Sequence, residues 1–438
     1  MPALCALVVA AAGSVAAEPA PETRPGLPAP LEFGVDRSNM GTQWTLSWPQ
    51  EPKAPPFQSA DYNKPGNFEA RRVAVMDGIA RVHARWFRDG FGKGPPDQFV
   101  DLVKLVHARG MKILAVFGAT ASDYPPGAYL DKAQSGCLWG THPLSKIDLA
   151  AYQKRIETQF AAVRTAGETV DAFEVGNELD LYCNDADSPT GAEWARHHWK
   201  WFLTDTQVQT FVRGYAPYLA VSVASIRKYF PSAQIITCGN SMPASAPLME
   251  ALASVRGADG KITDYTRLVD GYGSHIYPTS TTTLNMVQEA ANSLRYEAVH
   301  YPHLNQKPIW ITEWNPAGSS WWNGQPWYFQ FDAHGQAGGD LNKADPRGAY
   351  PAMNGAGAIR AFNRDVVEAL RSSTTKPVNI SHVFYYSYDS GGPSPKCAHV
   401  KYSWPTSLPP GFCIDGMIDP SSGELLPGVA EAVSGATR

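Results

Sequence analysis

The chain has 438 residues, 44% hydrophobic and 18% charged, enough to bury the core of one large α/β barrel or of two ordinary domains. Its formal net charge of −4, with acids and bases interspersed, leaves no basic stripe for phosphate and argues against a nucleic-acid partner; a neutral substrate fits better. No segment beyond the N-terminus approaches the roughly 18 uninterrupted apolar residues of a membrane span, so no membrane insertion is expected.

An apolar run from Ala3 to Ala12, followed by Val15, Ala16 and Ala17 as a small-x-small cleavage site, predicts an export signal over 1–17, although a positive segment ahead of it is lacking. The mature chain then begins at Glu18 and is secreted or periplasmic. Residues 18–30 carry five prolines and read as a tether. Residues 31–438 read as a single domain. Eight strand-like runs follow in order: Leu31 to Asp36, Ala84 to Phe91, Lys112 to Gly118, Ala172 to Glu178, Gln234 to Ser241, Gly271 to Pro278, Pro308 to Trp314 and His382 to Asp389. Between them lie helical patterns, such as Phe99, Val100, Leu102, Val103 and Val106 before Gly110, and a stretch from Val208 to Phe230 that Pro217 is expected to kink or split. The segment Glu424 to Ala436 is placed as a last helix. Eight alternations of strand and helix predict a closed parallel (β/α)8 TIM barrel.

Long loops rich in Gly, Pro and aromatics follow strands one, three, four, seven and eight, and would stand on the catalytic face. They carry Trp44, Trp48, Trp139, Trp321, Trp322, Trp327 and Trp404, which either stack on sugar faces or pack loops onto the barrel. Cys137 and Cys183 lie just beyond the third and fourth strands, and Cys397 and Cys413 bracket one Pro-rich loop; two disulfides are expected there. Cys238, inside strand five, reads as a buried free thiol. No cysteine pair has the close spacing of a zinc site, so neither a structural metal nor a cofactor is indicated.

Two carboxylates end strands. Glu178 closes strand four after Asn177, and Glu313 closes strand seven before Trp314. In a parallel barrel such ends open onto one cleft, where a pair of carboxyl groups can cleave a glycosidic bond, one as proton donor and acceptor and the other as nucleophile or base. Glu174 shares the parity of Glu178 and points inward a layer deeper, where it needs a partner; it reads as structural. Arg85 and Arg88 on strand two have opposite parity, so at most one faces the interior.

Asn177-Glu178 ending strand four and Thr312-Glu313-Trp314 ending strand seven resemble the signature of glycoside hydrolase clan A, the retaining (β/α)8 enzymes, over nearly the whole of the chain from Leu31. The runs Phe173 to Glu178, Gly273 to Pro278, Ile311 to Asn315 and Phe384 to Asp389 look like family thirty-nine and its relatives. That resemblance implies Glu178 as acid/base and Glu313 as nucleophile. It implies Asn177 as a partner of the sugar 2-hydroxyl, His275 and Tyr277 beside the nucleophile, and an arginine orienting the nucleophile, for which Arg88 is favoured with Asp89 as a neighbour. Trp314 and Tyr386 join the expected substrate-binding positions. The chain departs from the pattern at Leu179, where relatives have proline, at Gly176, where many have tryptophan, and at Tyr386, where tryptophan is frequent. The expected activity is retaining hydrolysis of a polysaccharide or oligosaccharide by a monomer. The alternatives are a transglycosylase of the same fold and a noncatalytic carbohydrate-binding barrel.

Overall fold

A computed structural model describes residues 30–36, 68–91, 95–130, 140–181, 205–241, 245–276, 306–314 and, with gaps, parts of 360–436. Strands β1 (Glu32–Asp36), β2 (Trp86–Phe91), β3 (Lys112–Phe117), β4 (Ala172–Asn177), β5 (Gln234–Ser241), β6 (Tyr272–Ile276), β7 (Ile309–Trp314) and β8 (Ile380–Tyr386) form a closed barrel in the order β1-β8-β7-β6-β5-β4-β3-β2. Every neighbouring pair in it is parallel. The predicted (β/α)8 barrel is therefore the observed one. All six residues of β7 and five of six in β3 are buried, as strands covered on both faces require. β8 starts at Ile380, ahead of the expected His382, because Ile380 already pairs with Ile309.

The helices pack outside. Helix α1 spans Phe68–Arg81, α2 Pro96–His107, α3 Leu149–Thr165, α4 Asp205–Tyr229, α5 Ser245–Ala251 and α6 Val429–Ala436. Proline opens α2, where a missing N–H costs nothing, and Phe99, Val100, Leu102, Val103 and Val106 form its buried stripe. Asp148 caps α3, its Oδ1 accepting from the backbone N–H groups of Ala150 and Ala151 at 3.0 Å. Pro217 does not split α4, which runs unbroken through it. A proline removes one backbone bond, and the fully buried Val212, Tyr215, Ala216, Tyr218 and Leu219 hold both halves against the barrel. The last helix is present as α6, with Val429, Ala432 and Val433 buried.

Two cores result. The larger lies between strands and helices. The smaller fills the barrel floor with Trp86, Leu114, Ala172, Ile236, Trp310 and Phe384, one residue from each of six strands. Trp310 stacks on His382 with centroids 3.4 Å apart, and Trp86 meets Trp310 edge-on at 5.3 Å. Cys238 is buried and free, as its strand setting predicts. Cys137, Cys183 and Cys397 lie outside the described residues, and of Cys413 only the backbone, in a short strand opposite Gly392, is described. No helix among the described residues is long and apolar enough to cross a membrane.

Candidate active site

Two residues above the floor, the same strands change character. Trp86 of β2 fills the floor and Arg88, next on that face, crosses the mouth, as period-two alternation dictates. Its guanidinium is buried and uses each nitrogen: Nε donates to Glu174 Oε2 at 2.7 Å, Nη1 to Glu313 Oε1 at 2.7 Å and to Asp36, and Nη2 to Asn177 Oδ1 at 2.6 Å. Nη2 also lies 3.3 Å from His275 Nε2. Arg85, of the other parity, is 61% exposed and pairs with Glu32 instead. Arg88 is thus the inward arginine.

Strand β4 reaches the mouth through a break in its own pleat. Gly176 has φ +97°, and a Cβ there would stand 2.7 Å from Leu179 Cδ1, so glycine is required on both counts. Past it, Asn177 reaches Arg88, while Glu178 takes φ 45°, an uncommon left-handed geometry for a side chain of this size, with its N–H donating to Gly239 O at 2.8 Å. Where relatives of the resembling family carry tryptophan, this backbone excludes one.

Strand β7 reaches the mouth through a bulge. Ser274 pairs with Ile311, but His275 pairs with Glu313, so β7 carries one extra residue at Thr312. Thr312 Oγ1 donates to Glu174 at 3.1 Å and Glu313 accepts from Arg88, so two consecutive side chains face inward. Trp314 is thereby turned out of the cleft: fully buried in the strand–helix core, its ring meets Tyr385 edge-on at 5.5 Å. The expectation of substrate contact for Trp314 is corrected accordingly.

His275 links the acids. Its Nδ1 lies 3.0 Å from Glu178 Oε1 and 3.5 Å from Glu313 Oε2, and its Nε2 lies 3.7 Å from Glu174 Oε1. Gly239 permits this approach, since a Cβ there would stand 2.4 Å from both Glu174 Oε1 and His275 Nε2. Burial opposes charge on the ring, yet the surrounding Glu313, Glu174 and Glu178 raise its pKa to about 10. Arg88 Nη2 beside Nε2 is one cation against three carboxylates. Oxygen atoms of Glu178 and Glu313 come within 4.8 Å of each other around this ring.

The carboxyl groups differ in environment. Burial raises the pKa of Glu178, offset only in part by its bond to His275. Burial presses on Glu174 too, but Arg88 and His275 prevail and hold it at about 2; Gly239 N donates to it at 2.8 Å. Glu174 is the structural acid that the sequence suggested, with its partners found. Asp36, at the end of β1, went unassigned in the sequence: it is fully buried against Arg88, and burial raises its pKa to about 7, with Arg88 opposing and Glu313 and Glu174 adding to the rise. An acid at the C-terminal end of a barrel strand was the signal available for it.

Tyr386 sits half-buried on the inward parity of β8, opposite Asp36 in register, at the rim of the mouth. Asp89, one residue past Arg88, is buried and accepts from Gly90 N at 2.7 Å. Tyr277 and the seven loop tryptophans lie outside the described residues. Glu178, His275 and Glu313 are also, among the described residues, a group close enough to surround a cation. Arg88 on Glu313 and His275 on Glu178 already bring donors to these carboxylates, and Arg88 supplies positive charge there.

The sequence matches no protein-family model and no curated protein. Solved structures do match in fold. A β-galactosidase from the psychrophilic Marinomonas ef1 is similar at 10% identity and a TM-score of 0.51, over 93% of this chain and 59% of that one. A β-galactosidase from the Antarctic haloarchaeon Halorubrum lacusprofundi aligns at 12% identity and 0.49, over 93% of this chain and 57% of that one. A β-glucosidase from Trichoderma harzianum aligns at 11% and 0.48, over 95% and 98%. The chain spans little more than half of the two β-galactosidases, and at these identities the likeness shows a shared barrel fold.

Proposed function

We propose that the protein is a retaining glycosidase, of clan A in its motif pattern and most like family thirty-nine, that cleaves a neutral polysaccharide or oligosaccharide. The observation that carries this reading is the approach of Glu178 and Glu313 to within 4.8 Å at the C-terminal end of the barrel. Double displacement needs the closer of the two known carboxyl spacings, about 5–5.5 Å against about 6.5–9.5 Å for inversion, and oxygens that approach this nearly are compatible with it. The environments also divide the roles. Burial raises the pKa of Glu178, which suits it to give a proton to the glycosidic oxygen as that bond to the anomeric carbon breaks; Glu313 Oε attacks the same carbon and forms a glycosyl ester. Water, losing its proton to Glu178, then displaces Glu313 and restores both groups. Arg88 and His275 hold Glu313 in place through Oε1 and Oε2, and Asn177, fixed by Arg88, offers its amide N–H to the sugar 2-hydroxyl. The glycosidase names of the barrel neighbours agree with this chemistry. Export by residues 1–17, the tether at 18–30, the Cys137–Cys183 and Cys397–Cys413 bridges and a monomeric state belong to the same proposal.

A panel of aryl glycosides and polysaccharides, read by product size and anomeric configuration, tests it. Retained configuration is expected, with free sugar as the product and transfer products the mark of a transglycosylase. Glu313→Gln should lose roughly 10⁴-fold or more in turnover. Glu178→Ala should lose about 10²–10⁴-fold on poor leaving groups and far less on activated aryl ones. Undiminished activity of Glu313→Gln, or inverted products, rejects the reading.

A further inference from the structure

Resting on the reading of Glu178 as acid/base, we propose that Tyr215 of α4 is a positioning residue whose hydroxyl joins β4 to β5 just below the break at Gly176 and so fixes the aim of Glu178. The hydroxyl donates to Val175 O at 2.8 Å and accepts from Cys238 N at 2.9 Å, and all three residues are fully buried. Those two backbone groups belong to one step of the β4–β5 ladder. With Val175 opposite Thr237, a parallel ladder joins Val175 O to Cys238 N, as it joins Asp171 O to Gln234 N at 2.9 Å four residues earlier. Beyond Gly176 the pattern has moved by one residue: Glu178 N, from an even position of β4, donates to Gly239 O at 2.8 Å, where the earlier rung uses an odd one. A helix side chain thus stands on the ladder at the step where its phase changes, and buried backbone groups at such a step need a partner. The phenol itself is fixed by its neighbours, with the Phe211 ring stacked at 5.7 Å between centroids and the Tyr218 ring at 6.0 Å. Only Gly176 and Asn177 separate the anchored Val175 from Glu178, whose Oε1 lies 3.0 Å from His275 Nδ1. Removing the hydroxyl leaves the left-handed turn without its fixed base.

Tyr215→Phe removes this one oxygen, and Tyr218→Phe is its control: Tyr218 also donates from a buried phenol of α4 to a strand carbonyl, Phe117 O at 3.4 Å, but on β3. In a crystal structure of Tyr215→Phe, Glu178 Oε1 is expected to stand beyond about 3.5 Å from His275 Nδ1, outside hydrogen-bond distance, and in Tyr218→Phe to stay bonded. On aryl glycosides, kcat/KM of Tyr215→Phe should fall on the order of 10–10²-fold for a phenyl leaving group and within about threefold for 2,4-dinitrophenyl, because a misaimed acid matters where the leaving group needs a proton. Equal losses for both leaving groups, the same losses in Tyr218→Phe, or a Tyr215→Phe structure with Glu178 still on His275 overturns the proposal. If Tyr215→Phe does not fold, amide hydrogen exchange of the wild-type protein decides. The Cys238 N–H should then be protected as the Gln234 N–H is, and exchange roughly 100-fold faster overturns the bridge. The structural arm needs no substrate, so a chain that cleaves no glycoside while Glu178 leaves His275 in Tyr215→Phe refutes the glycosidase reading and leaves the role of Tyr215 standing.

Discussion

The barrel floor and the barrel mouth are built from the same strands, two or three residues apart, and answer opposite demands. The floor sets Trp86, Trp310, Ala172 and Phe384 against one another; the mouth sets Arg88, Glu313, Glu174 and Tyr386 on those same strands. Floor packing rests on apolar area and ring contact, with His382 stacked on Trp310 as a titrating neighbour. The mouth places four acids around one arginine and one histidine, an arrangement that costs desolvation and that the proposed chemistry would use. Stability and activity are therefore separable along a single strand.

Paired substitutions break the comparison most sharply. Leu114→Ala opens a cavity in the floor and should cost about 2–5 kcal/mol, with little change between pH 4 and pH 7. Arg88→Met leaves Glu174 and Asp36 buried without their cation and should cost about 3–5 kcal/mol at neutral pH. Its sign follows from Glu174. That acid is held at about 2, below the ordinary 4.5 of a glutamate, so its pairing stabilises the fold above the ordinary carboxylate range and the contribution fades as pH falls toward 2. The Arg88→Met deficit should accordingly shrink on acidification, and denaturant titrations at several pH values check it; a deficit flat in pH would place Arg88 energetically with the floor.

A smaller effect is expected at Gly176. Gly176→Ala forces a side chain into φ +97° and against Leu179, for a loss of about 1–3 kcal/mol. Because Asn177 and Glu178 follow directly, kcat should fall with stability, which a thermal melt paired with an aryl-glycoside assay reads out. Smallest is a clip away from the mouth, where His107 meets Asp171 and Glu168, each at 3.0 Å. The bond to Asp171, with help from Glu168 and against burial, raises the His107 pKa above 6.5. Its stabilisation is complete below that ordinary value and is lost as pH rises through the raised one. Wild-type protein should lose on the order of 1 kcal/mol over that interval and His107→Gln should not, as melts across neutral pH would record.

Periodicity made much of this legible. Eight runs with helical spacing between them predicted the barrel; parity allowed only one of Arg85 and Arg88 inside, and the resemblance with nearness to the open end favoured Arg88. The parity rule failed where the strands are irregular. Glu174 and Glu178 share a parity in sequence, but the left-handed turn at Gly176 brings Asn177 inward as well, and the glycine itself was the only local sign. At Thr312 the extra residue of β7 has no such sign, since Ile311, Thr312 and Glu313 form an ordinary strand sequence; the bulge shows only in pairing with β6 and β8, and Trp314 was misplaced for that reason. Asp36 escaped because its partner comes from another strand, 52 residues away.

One side chain from β2 holds β1, β4 and β7 at fixed distances and touches β6. A lysine, with three donors on one atom, has no geometry for such a junction. The mouth is in effect tied across its diameter, so a ligand of another size is not accommodated by spreading strands apart. Under the proposed function, a change of specificity in descendants of this scaffold is expected in the chain that follows the strands, while the ring itself is inherited whole.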